Sequence, residues 1–357
     1  LEEQKEGQYY RFKQNILLKY KMISIPFCDL SRSNNPIRKD IDKAIAGCID
    51  RSSYLRGRQT QLFEEEWAAF CGQKYAVCCN SGTDALSLAA LALDMKTAAI
   101  PANTLPLTGI GLYRGGAKVV ISEIDENGWI NEPTENDVPV LIFGRLPETA
   151  LPVARLYDAA HAHGWQSPGN ALAAWSFYPT KSLGAMGDAG AVTTNDQSLA
   201  KILRELCGRD DVLHDSRQIT SRIDEIQAAI LRVKLKHLPE WLEMRKQIAQ
   251  TYDYRLKHLD ITLSGESLHH LYVIRVKNRD ALMAFLFQRN IATKVHWNTP
   301  LHKLTGPWKS DGNYLTAEKW CNSVLSLPCY PGLMPSEIHF ICDSIEEFFS
   351  ENGQKQE

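Results

Sequence analysis

From Pro36 onward, apolar residues recur at the helical period, at Ile37, Ile41, Ala44 or Ile45, and Cys48 or Ile49. Proline suits a first helical position, so this spacing predicts an amphipathic helix. A second helix is predicted around Leu62, Phe63, Trp67 and Phe70, stopping at Gly72. The pattern then switches repeatedly. Short apolar runs at Tyr75–Cys79, Ala98–Ile100 and Lys118–Ile121 alternate with helical spacing at Asp84–Leu93 and Thr108–Tyr113. Further strands are predicted at Val138–Ile142, Arg155–Tyr157, Ala173–Phe177 and Ala191–Thr194. Such alternation predicts an α/β fold with a mostly parallel sheet flanked by helices.

Ile223, Ile226, Ile230 and Val233 keep helical spacing, and the pattern continues past Pro239 as a second helix toward Leu256. A smaller α/β unit follows: a strand at Leu271–Val276, a helix at Ala281–Arg289, a strand at Ile291–His296 and a closing helix at Ile338–Phe349. The expected partition is therefore a large domain over residues 22–240 and a small C-terminal domain over 241–357. Residues 1–21, with Lys5, Arg11, Lys13, Lys19 and Lys21 among polar residues, read as an extension before Met22. Neither an internal repeat nor a low-complexity tract is visible.

A chain of 357 residues is long enough for one large and one smaller core. Forty basic residues against 42 acidic ones argue against a dedicated nucleic-acid or anionic-membrane surface. A small-molecule site is the expectation. Nine irregularly placed cysteines without a C-x-x-C pair suit neither a disulfide framework nor a zinc site, which points to a reducing, cytoplasmic setting. No apolar run approaches the roughly 20 residues that span a bilayer.

Lys181 ends the aromatic run Ser176-Phe177-Tyr178-Pro179-Thr180 and precedes the glycine-rich stretch Gly184 to Gly190. An amine at a sheet edge, among apolar neighbours that lower its pKa, is a candidate imine-forming nucleophile; the plainer reading is a surface lysine. The turn Asn80-Ser81-Gly82-Thr83-Asp84 joins a predicted strand to a predicted helix, so it offers unpaired N–H groups at a positive helix end. That suits a phosphate, and it equally suits an ordinary N-cap. Asp158 stands at the carboxyl end of a strand, where open α/β sheets place ligands. It can pair with a protonated ring nitrogen while His161 reaches a phenolic oxygen; alternatively Asp158 caps a turn and His161 and His163 pack structurally. No third ligand cluster supports a metal at the two histidines. Gly109 to Gly115 imitates a dinucleotide fingerprint, but it is one residue too long and lies inside a helical pattern. Thr83, Asp158 and Lys181 in this order are what pyridoxal phosphate requires: a phosphate grip, a ring-nitrogen carboxylate and an imine-forming amine.

NSGTDALSLAALAL, PANTLPLTGIGLYRGGAKVVISEID, YDAAHAHG, SFYPTKSLGAMGDAGAVTTND, SRIDEIQAAILRVKLKHLPEW and LSLPCYPGLM together resemble the sugar aminotransferases of the DegT/StrS class. The resemblance runs from about Met22 to about Phe349. It implies a fold-type-I pyridoxal-phosphate enzyme with a seven-stranded sheet, working as a homodimer with shared active sites. Lys181 matches the Schiff-base lysine and Asp158 the partner of the pyridine nitrogen. Gly82, Thr83 and Ser176 match phosphate ligands, and His161 stands where the family usually has a glutamine near the phenolic oxygen. Protonation of that imidazole would influence the imine. Leu105 replaces a stacking aromatic, so it would hold the ring by apolar contact. Thr220 replaces an asparagine that reaches the phosphate from the partner subunit. The stretch Glu126 to Leu156 is shorter than usual for the family.

The resemblance implies amino transfer from L-glutamate to a nucleotide-linked keto-deoxysugar, with pyridoxamine phosphate as the aminated cofactor and a lean toward carbon 3. Arg222, His296 and His302 are candidate substrate contacts. Two alternatives stand beside this: a dehydratase-like member, against which Lys181 argues, and a non-catalytic paralogue that binds cofactor or sugar nucleotide.

Overall fold

The computed structural model describes residues 24–131, 134–147, 154–208 and 216–351, so the extension expected over residues 1–21 lies outside the described residues. The strands are β1 Tyr75–Cys79, β2 Thr97–Pro101, β3 Lys118–Ser122, β4 Leu156–Asp158, β5 Leu172–Ser176, β6 Gly190–Thr194, β7 Tyr272–Arg275, β8 Trp308–Lys309 and β9 Val324–Leu327. β1, β6, β5 and β4 form one run in that order, and β2, β3 and β8 another. The segment Asp137 to Val140 joins the two runs by parallel bridges, Ala99 to Asp137 on one side and Val140 to Asp158 on the other. Counting that segment, seven strands cross the large unit before the two-residue β8. Both neighbours of β6 pair with it antiparallel, and every other pairing in the large sheet is parallel.

The sequence predicts a regular strand at Val138–Ile142, and the structure differs. Pro139 has no N–H to donate and contributes only its carbonyl, to Asp158 N at 2.9 Å. The chain then turns through a short helical turn, Ile142–Gly144, in which Phe143 takes a left-handed φ of 64°. The strand expected at Ile291–His296 is also absent. Ala292 N donates to Ile25 O, whereas Lys294 N donates to Ser326 O, so the segment changes partner before a ladder forms. The Gln197–Leu206 and Leu315–Ser323 helices and strand β9 were not anticipated from apolar spacing.

Because Gly109 and Gly111 lie within the Pro106–Arg114 helix, the dinucleotide-like motif is helix interior. The Glu225–Leu235 and Leu238–Leu256 helices are separate, with Pro239 in the first turn of the second, where its missing N–H costs nothing. That second helix links two cores. Leu238 packs with Phe63, Trp67, Trp175 and Phe177, and Tyr252 and Leu256 pack with Leu282, Leu286, Ile341 and Ile345. Antiparallel β7 and β9 back the second core, which Ile25 also joins. No helix among the described residues is long and apolar enough to cross a membrane.

One buried carboxylate ties sequence-distant elements together. Glu225, almost fully buried, accepts hydrogen bonds from Gly57 N at 3.0 Å, Gln59 N at 2.8 Å, and Thr60 N and Oγ1 at 2.8 and 2.5 Å. It thereby caps the Arg58–Phe70 helix from 165 residues away. Glu225→Ala strands those donors, and the expected loss is about 2–4 kcal/mol. A urea-unfolding midpoint measured by tryptophan fluorescence checks this; an unchanged midpoint contradicts it.

Candidate active site

Parallel strands β1, β2, β4 and β5 all end at one sheet edge, and β6 begins there, so the loops at that edge converge. They enclose a cavity of about 290 Å³ lined by Gly82, Thr83, Leu105, Asp158, His161, Ser176 and Lys181 among others. These are all of the sequence-derived candidates except Thr220, Arg222, His296 and His302. The sequence did not single out Thr104, Thr108, Val140, Asp188 or Trp297, which also line it.

The turn after β1 is an N-cap with room for an anion. Ser81 is extended and its side chain accepts from Asp84 N, and its carbonyl accepts from Ala85 N at 2.9 Å. The Gly82 and Thr83 N–H groups belong to the first helical turn, which α-helix geometry leaves unpaired. Glycine is required at 82 because a Cβ there would lie 2.7 Å from Ser176 Cβ. The cap and phosphate readings of this turn are therefore compatible. Ser221 fixes the turn from behind: its hydroxyl donates to Asp84 Oδ2 at 2.7 Å and accepts from Asn80 N at 3.0 Å.

Asp158 is buried, with Oδ2 accepting from Thr108 Oγ1 at 2.8 Å and Oδ1 from Ala160 N at 3.1 Å. Thr104 and Thr108 hydroxyls lie 3.2 Å apart and extend this chain. Burial pushes the Asp158 carboxyl above its ordinary range, against those two hydrogen bonds and the nearby Lys181. A carboxylate short of solvation gains most from a cationic ring nitrogen placed beside it.

Lys181 sits in a loop that closes between Phe177 and Ala185, where Ala185 N donates to Phe177 O at 2.8 Å. Burial brings the Lys181 amine down to about 8, against the opposing pull of Asp158. His163 holds this loop. Its Nδ1 accepts from Leu183 N at 2.9 Å, so its Nε2 carries the hydrogen toward Ser176 O at 3.0 Å. Its ring packs edge-on to Trp67 at 5.3 Å, and burial lowers it to about 3, so it stays neutral. The structural reading of His163 is the one the geometry supports.

His161 differs. Its Nδ1 accepts from Phe143 N at 3.1 Å, which leaves Nε2 as the protonated nitrogen. Burial, followed by the charge of Lys181, holds the imidazole well below its ordinary pKa. His161 is therefore a neutral donor, as a glutamine amide would be, and its ring lies 6.0 Å from Trp297, nearly parallel.

The remaining candidates are elsewhere. Thr220 is exposed, and Arg222 donates to Gly208 O at 3.4 Å. His296 Nδ1 pairs with Ser326 Oγ at 2.8 Å, and His302 Nε2 with Glu318 Oε1 at 3.0 Å while stacking on Tyr314 at 4.5 Å. None of the four lines the cavity. No local pattern flagged Thr108, because it acts on Asp158, 50 residues further along the chain.

A glycine cradle, free helix-terminal N–H groups, a desolvated carboxylate and a desolvated amine fit the phosphate, ring nitrogen and aldehyde of pyridoxal phosphate. The chain matches the DegT/DnrJ/EryC1/StrS aminotransferase family over residues 35–137 and 148–346. It is 34% identical over 352 residues to the erythromycin biosynthesis sensory transduction protein EryC1 of Saccharopolyspora erythraea, covering 87% of this chain and 96% of that one. Identity to the dTDP-3-amino-3,4,6-trideoxy-alpha-D-glucose transaminase of Streptomyces venezuelae is 33% over 365 residues, 91% of this chain and 96% of the relative. The crystal structure of S. venezuelae DesV in complex with a ketimine intermediate superposes with a TM-score of 0.84 at 32% identity, over 91% of this chain and 98% of the other. The chain belongs to the DegT/DnrJ/EryC1/StrS aminotransferase family.

Proposed function

We propose that this aminotransferase, with pyridoxal 5'-phosphate as its cofactor, moves the amino group of L-glutamate to carbon 3 of a nucleotide-linked keto-deoxysugar. The observation that carries the proposal is the convergence of the Gly82–Thr83 turn, Asp158 and Lys181 on one cavity. The cofactor supplies an electron-withdrawing ring and a carbon on which the amino group is held between donor and acceptor.

Gly82, Thr83 and Ser176 would bind the phosphate, with the helix N-terminus favouring its negative charge. Asp158 would face the ring nitrogen and keep its proton there, held in orientation by Thr108 and Ala160 N. His161 Nε2 would donate to the phenolic oxygen, and Leu105 would supply an apolar wall. Lys181 carries the cofactor through its amine. Its freed Nζ would serve as the base that takes the proton from the donor's α-carbon and hands it on during the transfer. A lysine lowered to about 8 exchanges that proton readily near neutral pH, because its two protonation states are close in free energy.

Carbon 3 is supported by the S. venezuelae relative, a transaminase of a 3-amino sugar. Trp297, facing the cavity between His296 and His302, is the better candidate for the sugar side. In a homodimer with shared sites, Thr220 serves the neighbouring copy's phosphate and Arg222 lies beside it; exposure of Thr220 outside its own cavity supports this. Nine free cysteines, eight of them buried, support a cytoplasmic setting.

Lys181→Ala is expected to abolish glutamate-dependent amination of a keto-sugar nucleotide, read by product mass. Normal turnover by that variant contradicts the assignment. The neutral amine is the attacking species, so a lowered pKa moves reactivity to lower pH. On protein stripped of cofactor, the rate at which added pyridoxal phosphate bonds to Lys181 should rise with pH and level off above about 8. A rate still rising steeply toward the ordinary lysine range contradicts a desolvated amine.

A further inference from the structure

A second buried lysine stands behind the first. Lys234, in the Glu225–Leu235 helix, is buried, and its Nζ donates to Gly184 O, three residues along the loop from Lys181. Its ammonium also lies 5.9 Å from the Trp241 ring centroid. Among the described residues no carboxylate bonds to it, and burial brings its amine down to about 8. An unpaired buried ammonium is a poor stabiliser of a fold, since an apolar side chain of similar volume generally does as well or better. Its place in this chain is better explained by what it holds.

What it holds is the turn that aims Lys181. The loop doubles back so closely that a Cβ on Gly184 would lie 2.1 Å from Pro179 O. Leu183 N–H and Gly184 C=O are buried, Met186 N lies at the surface, and all three take their partners from distant side chains. Leu183 N goes to His163 Nδ1 at 2.9 Å, Gly184 O to Lys234, and Met186 N to Gln227 Oε1 at 2.8 Å. Leu183 and Ala185 on either side of Gly184 belong to one apolar core with Trp67, Phe63 and Trp175, and Gly184 itself is buried.

We propose that Lys234 is a positioning residue for the aminotransferase reaction, holding the Gly184 carbonyl so that the Lys181 amine is presented to the cofactor in the cavity. This rests on Lys181 being the cofactor lysine. Without that bond the Gly184 carbonyl is left buried and unpaired, the turn reorganises, and the Lys181 amine spends less time where the cofactor's aldehyde meets it. Lys234 itself does not touch the cavity.

The test uses full-length protein with pyridoxal phosphate titrated in, borohydride to trap the lysine bond, and peptide mass to locate it, alongside thermal melting. Lys234→Met trades a buried charge for a buried unpaired carbonyl, two changes of opposite sign, and is expected to fold and to melt within a few degrees of wild type. Its apparent dissociation constant for the cofactor trapped on Lys181 is expected to rise about tenfold or more, as for loss of one charge-assisted hydrogen bond. Lys234→Gln keeps an N–H for Gly184 and should recover most of that loss. Wild-type trapping by Lys234→Met overturns the proposal, as does a glutamine variant no better than methionine. Failure of both variants to fold also overturns it, by making the lysine a requirement of the fold itself. Absence of any trapped bond on Lys181 in the wild-type protein instead removes the reading of Lys181 and this inference together.

Discussion

A reactive amine must be kept dry to be partly neutral near pH 7, yet the chain that carries it brings peptide groups into the same dry place. That conflict organises the site. The Phe177 to Ala185 loop buries Phe177, Leu183 and Ala185 in the core with Trp67, Trp175 and Phe63 while Lys181 turns to the cavity, and each peptide group pressed inward must then find a partner. His163 and Gln227 supply side-chain acceptors and Lys234 a donor, and the loop pairs its own ends. Burial thus does two things at once, tuning the amine and over-determining its position.

The opposite wall obeys the same logic. Asp158 closes β4 at the sheet edge, and the bridging segment around Pro139 brings β2 and β4 into one sheet, so that Thr108 from the following helix can reach the carboxylate. Phe143 takes a left-handed conformation at the end of that segment, and its N–H sets the tautomer of His161. A backbone conformation that disfavours a phenylalanine is retained where it orients a donor at the site. The proposed anion end needs less: a helix terminus, a glycine and Ser176 at the cavity wall.

Much of this was legible in the chain because it is local. The alternation of apolar runs located β1 through β6, and the residues ending or following those strands included Gly82, Thr83, Asp158, Ser176 and Lys181. Their order along the chain pointed to one cofactor. The rest is non-local. Glu225 caps a helix that lies far earlier in sequence, His163 reads as a generic packed histidine until its two backbone partners are seen, and Lys234 falls on a helical period that says only surface or interface. Val138–Ile142 and Ile291–His296 have strand-like composition, but one contains a proline and the other divides its hydrogen bonds between two partners. Trp297 carries no motif that sets it apart from the histidines on either side of it in sequence.

The central claim is that one cavity stores an amino group taken from an amino acid and delivers it to a sugar. The direct test is a two-stage single turnover. Enzyme in the pyridoxal form is mixed with 15N-labelled L-glutamate, freed of donor, and then given a nucleotide-linked 3-keto-deoxysugar. The account predicts one equivalent of 2-oxoglutarate per site in the first stage and a sugar nucleotide carrying 15N at carbon 3 in the second. Loss of a sugar hydroxyl without nitrogen uptake, or a cofactor spectrum indifferent to glutamate, would contradict it.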